Sequence, residues 1–164
     1  LAVGSGPNRL AAMRDGRAAA AALSAPDDIE AQKLGFNILA DATEIIGAYQ
    51  GSAFVARRSW AKDHEKEVVS FLRALIAATD MIFADKDASI AVLRARIKSL
   101  SPEDAAPLYA SLVSGKGGLN KRAAINMDGV KTLLDLRNKL GDGKKQLNDP
   151  MKYVDLSYYD KASR

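Results

Sequence analysis

Few side chains in this sequence are equipped for chemistry. There is no cysteine and one histidine, His64. Disulfides, thiolate nucleophiles and Cys- or His-rich zinc sites therefore lack their material, and a Ser-His-Asp triad has little. Asp27, Asp28 and Glu30 stand close together. They read as paired acids or, more plainly, as the acidic first turn of a helix. Gly4-Ser5-Gly6 precedes a helix start and reads either as a nest of backbone N–H groups for an anion or as a tight turn. Its spacing is not the dinucleotide fingerprint, and Gly115-Lys116-Gly117-Gly118 does not fit the phosphate-loop pattern. No serine sits in a nucleophile elbow. The basic residues Arg57-Arg58, Lys121-Arg122 and Lys144-Lys145 are pairs rather than a patch, poorly interleaved with aromatics. They read as a solvated face, not a nucleic-acid contact. His64 lies among Lys62, Asp63, Glu65 and Lys66, the setting of a surface imidazole. Tyr153, Tyr158 and Tyr159 read as a packed carboxy-terminal tail. The inventory points to binding or structure, with no catalytic residue, cofactor or metal.

The elements that would position these residues must come from 164 residues, 48% of them hydrophobic and 27% charged. That is one ordinary domain's length, with no apolar run near the ~20 residues of a membrane span. The net charge of +4 is uneven: residues 1–48 hold four Lys/Arg against six Asp/Glu, and residues 49–164 hold 20 against 14. The opening Leu1-Ala2-Val3-Gly4 has neither the basic region nor the apolar length of a signal peptide.

Leu1-Ala2-Val3 reads as a strand tail, Asn8–Arg14 as a short helix closed by Asp15-Gly16, and Ala18–Leu23 as a buried strand. A helix capped at Asp27 or Asp28 stops at Gly35, before strand Phe36–Leu39; Ala53–Ala56 is a further strand. This alternation is the rhythm of an α/β unit with parallel strands. Beyond it the pattern turns helical. Val68, Leu72, Leu75, Ile76, Thr79, Ile82 and Phe83 share one helix face, and Ile90, Leu93 and Ile97 another. Ser101-Pro102-Glu103-Asp104 opens a third helix, and Asn126 caps a fourth that ends at Gly141.

The order of these pieces resembles the solute-binding component of ABC importers, in the branch of sulfonate, taurine, nitrate and thiamine-pyrimidine-precursor binders. The resemblance rests on Val3-Gly4, Arg9–Arg17, Leu23–Pro26, Gly35-Phe36, Tyr49–Ser52 leading to Val55–Arg58, and Phe71–Ala74. It continues through Asn126–Val130, Leu134–Arg137, Asp149-Pro150 and Tyr153 to Tyr159. It departs at Gly16-Arg17-Ala18, where the family usually carries an acidic residue after the glycine.

The resemblance implies an α/β, helix-rich chain forming part of a type II periplasmic-binding-protein-like fold, two-lobed and three-layered (αβα), with its amino-terminal half missing. Residues 1–48 would then be the last part of the second lobe, and residues 49–164 the hinge return and helical end of the first. It also implies a periplasmic protein that captures a small anionic or nitrogen- or sulfur-containing solute by hinge closure and delivers it to a membrane permease. Its further partner would be the absent amino-terminal half or a swapped second copy. Gly4, Ser5 and Asn8 would face the cleft at a helix start, Ser24 and Pro26 would end a strand at its rim, and Tyr49, Gln50 and Ser52 would lie at the hinge crossing. Two rival readings stand beside it. One is an enzyme on the same scaffold, resembling a thiamine-pyrimidine-precursor synthase, which would need a catalytic His or Cys. The other is a helical interaction domain in which residues 1–48 fold without strands.

Overall fold

The computed structural model describes residues 4–98, 100–115, 117–141 and 146–164. Helices form where apolar spacing and caps coincide. In chain order they are α1 (Gly6–Arg14), α2 (Asp27–Lys33), α3 (Ala42–Ile46), α4 (Arg58–Asp63), α5 (Glu65–Ala84), α6 (Lys86–Arg96), α7 (Pro102–Leu112), α8 (Met127–Leu140) and α9 (Ser157–Ala162). Single 3-10 turns at Lys121–Ala123 and Pro150–Lys152 complete the regular structure. No helix among the described residues is long and apolar enough to cross a membrane.

The chain divides into two units, each built from two stretches of sequence. Leu1–Asp41 and Asp87–Leu112 make the first, and Ala42–Lys86 and Val113–Arg164 the second. The boundary read at residues 48/49 thus falls inside the second unit.

The α/β expectation is corrected here: among the described residues there is no β-strand, so the chain is not a three-layer αβα fold or a recognisable part of one. Residues 18–23, 36–39 and 53–56 are irregular; Leu1-Ala2-Val3 lies outside the described residues. Backbone N–H and C=O groups become a strand only by pairing across a ladder, and none of these segments has a partner strand. Nor are they buried. Ile38, Leu39, Phe54 and Val55 are 64%, 81%, 70% and 93% exposed, although Phe54 sets its ring edge-on to Phe71 of α5, 4.9 Å between centroids.

The helical expectations fare differently. The spacing of Val68 to Phe83 falls within α5, which buries Val69, Ile76 and Thr79. Asn126 caps α8 by accepting the Gly129 N–H at 3.0 Å, and the Ser101 hydroxyl accepts the Asp104 N–H of α7 at 3.2 Å. Helices α3, α4 and α9 are additions that periodicity did not reveal; at five or six residues each they are too short to show it.

In the first unit α2 packs against α1 and α7, burying Leu10, Ala12, Ala31, Ala105, Leu108 and Tyr109. One ion pair ties α2 to α7: Lys33 Nζ lies 2.7 Å from the Asp104 carboxylate. Hydrogen bonds from Lys33 and then from the Ser101 hydroxyl hold Asp104 below the usual carboxylate range, while the bond to Asp104 raises Lys33.

In the second unit α9 docks on α5 around Val69, Ile76 and Ala162, with Leu72, Tyr158 and Tyr159 packed against them. Two of the three tail tyrosines therefore pack as read, whereas Tyr153 is exposed. Asp155 starts α9 by accepting the Ser157 hydroxyl at 2.7 Å and its N–H at 3.0 Å. These bonds, with Arg58 and Lys161 nearby, lower its pKa.

The Asp104 shift has a definite sign. A carboxyl lowered in the folded state contributes stability above its unfolded pKa, and that contribution disappears as pH falls through the folded value. Raised Lys33 contributes below its unfolded pKa and loses that contribution as pH rises through its folded value. Asp104→Asn should therefore flatten the acid limb of the denaturation midpoint against pH, measured by circular dichroism from about pH 6 to about pH 2. An acid limb as steep as wild type would show that the pair does not couple folding to pH.

Candidate functional site

The residues expected to form one cleft fall into the two different units. In the first, Gly4 takes the left-handed conformation (φ 85), which only glycine adopts freely. Ser5 precedes α1, its carbonyl accepting the Arg9 N–H at 3.0 Å and its hydroxyl making no capping bond. Arg9 staples this turn, donating from Nε to the Gly4 carbonyl at 3.1 Å and from Nη1 to the Ala22 carbonyl at 2.5 Å. Asn8 lies beside Gly4.

The start of α1 is already faced by an anion, and that anion belongs to the protein. The Asp27 carboxylate sits against Gly6 so closely that a Cβ there would be 1.9 Å from Oδ2. A carboxylate at a helix N-terminus complements its unpaired N–H groups and dipole, and a second anion would meet its repulsion. Ser24 serves the backbone here: its carbonyl accepts the Asp27 N–H at 2.9 Å. Pro26 stands immediately before α2. Asp27, Asp28 and Glu30 form the acidic first turn of that helix, the plainer of their two readings.

In the second unit the structure joins two sequence pieces that lie far apart in the chain. Gln50 Oε1 accepts the Asn126 N–H at 2.8 Å, and Gln50 Nε2 donates to the Ser52 carbonyl at 2.6 Å. Asn126 in turn caps α8. Gly129, in the first turn of α8, comes so close to this crossing that a Cβ would stand 2.6 Å from the Gln50 nitrogen and 2.8 Å from the Tyr49 carbonyl carbon. No side chain larger than hydrogen fits there without backbone movement.

This junction borders an open cavity of about 620 Å³. Tyr49, Gly51 and Asn126 line it, with Thr43 and Glu44 of α3, Ser114, Gly115 and residues 117–121. Gln50 and Ser52 brace the wall without lining it. Lys121 is the one cation among the described lining residues, its ammonium 5.9 Å from the centre of the Phe83 ring. Sequence reasoning read Lys121 as a solvated charge and Asn126 only as a cap. The adjoining Gly117-Gly118 was the signal for a loop, but nothing local linked that loop to Tyr49.

His64 stacks on Trp60, 4.7 Å between centroids at 11°, and its Nδ1 lies 3.0 Å from the Trp60 carbonyl. It belongs to the α4–α5 junction and not to the cavity lining. Among the described residues no group of His, Asp and Glu could hold a metal ion. The arrangement offers amide, hydroxyl and ammonium donors around an open space, which suits recognition of a small polar molecule. Comparison of the chain with protein-family models, curated proteins and solved structures gives no match.

The close approach at Gly129 yields a direct test. Gly129→Ala gains about 1 kcal/mol of helix propensity but forces the crossing strand of chain away, at about 1–3 kcal/mol. The net loss should appear as a lower urea midpoint with an unchanged slope. A midpoint at or above wild type would mean that the Tyr49–Gln50 segment does not rest on α8.

Proposed function

We propose that this chain is a solute-binding component of an ABC importer, taking a small anionic solute in the cavity beside Tyr49, Lys121 and Asn126. One observation carries the reading: Gln50 ties the Tyr49–Ser52 piece to the Asn126–Gly129 piece beside that cavity. These are two of the ordered pieces on which the family resemblance rests. Lys121 supplies charge for an acid group, and Asn120 and Asn126 supply amide donors.

Handing the solute to a permease would rest on a difference in its affinity for two states of the protein.

The test is calorimetric titration of the chain with sulfate, nitrate and 2-aminoethanesulfonate. At least one should bind with a micromolar Kd, and Lys121→Ala should weaken it by about tenfold to a hundredfold, the loss of one charged hydrogen bond. Absence of binding by all three, or an unchanged Kd in Lys121→Ala, would overturn the reading.

A further inference from the structure

The backbone next to Lys121 is held in a conformation its residues disfavour. Arg122 (φ 56, ψ 24) and Ala123 (φ 53) both lie in the left-handed region. Neither is glycine or asparagine, and successive residues there are unusual because the Cβ crowds the following carbonyl. Such a turn persists only where its surroundings over-determine it, and these outliers concentrate at functional sites.

The surroundings are α5 and α9. The Tyr159 hydroxyl donates to the Arg122 carbonyl at 2.8 Å. The Arg122 guanidinium donates to Asp80 on α5 and to the Ser163 carbonyl just past α9, both at 3.3 Å. Helix α9 is itself pinned to α5 by Lys161 and Glu65 at 2.7 Å. Inside the turn, the Ala123 N–H reaches the Asn120 carbonyl at 3.1 Å, the Ala124 N–H reaches that of Lys121 at 3.2 Å, and Asn120 Nδ2 reaches that of Ala124 at 2.8 Å. The turn so held carries Asn120 and Lys121, both lining the cavity. Arg122 and Asp80 are about half exposed, where an ion pair adds little. The Tyr159 bond adds a tie made directly to the backbone of the turn.

We propose that Tyr159 and Arg122 are positioning residues: through the left-handed turn they hold Asn120 and Lys121 in place for the solute. This rests on the reading of the cavity as the solute site. Two variants separate positioning from mere stability. Ala123→Gly relieves the crowded backbone and removes no side-chain contact, so its unfolding midpoint should equal or exceed that of wild type. Its affinity for 2-aminoethanesulfonate should nevertheless fall about threefold, because glycine frees the turn. Tyr159→Phe should weaken the same affinity about fivefold and speed amide exchange at Ala123 and Ala124 without speeding it at Val69 and Ile76. Affinities equal to wild type in both variants, while Lys121→Ala still weakens binding, would overturn the positioning role and leave the site standing. If wild type binds no member of the panel, the site falls and the positioning role falls with it. Unchanged exchange at Ala123 in Tyr159→Phe would also overturn it, whatever the affinities.

Discussion

The docking of α9 on α5 is the constraint from which the second unit takes its form. Helix α5 has 20 residues and is about 30 Å long. Its stripe of Val69, Leu72 and Ile76 needs a cover, and the cover is Ala162 with Tyr158 and Tyr159. A six-residue helix such as α9 has no stability of its own in water. Its existence depends on that apolar contact and on the Asp155 cap at its start. Once seated, α9 presents the Tyr159 hydroxyl to the Lys121–Ala123 turn, and the turn borders the cavity. An interaction read first as tail packing thus reaches the candidate site in two steps.

The first unit is organised by a different balance. Its buried side chains among the described residues are three alanines and Ser89 with Leu10, Leu108 and Tyr109, so the helices contribute modest apolar area. Charge placement takes a larger share. Asp27 closes the start of α1, Arg9 staples the turn before it, and Lys33 joins α2 to α7 through Asp104. The Gly4-Ser5 turn was legible in the sequence, but the Asp27 carboxylate that stands beside Gly6 comes from a residue more than 20 positions away.

Local signals carried well where the physics is local. The Asn126 cap, the Ser101 cap and the apolar face of α5 all follow from spacing and from side chains one turn apart. The strand expectations failed for the complementary reason. Ala18–Leu23 reads as a strand from its shortness between Gly16 and Pro26, and Phe36–Leu39 and Ala53–Ala56 from their apolar runs, but a strand is a pairwise object that needs a partner ladder. No partner lies among the described residues, so these segments remain irregular and exposed chain.

The sequence by itself determined the longer helices α5, α7 and α8, the caps at Ser101 and Asn126, and that cysteine catalysis and a histidine-rich metal site have no residues here. Those properties depend on residue identity and on neighbours within about one helical turn. Only the tertiary structure decided that Tyr49–Ser52 meets Asn126–Gly129, that Asp27 stands beside Gly6 of α1, and that Tyr159 reaches Arg122. Each is a contact between residues 20 to more than 70 positions apart. Its partner is set by which apolar faces pack, and no local spacing encodes that choice.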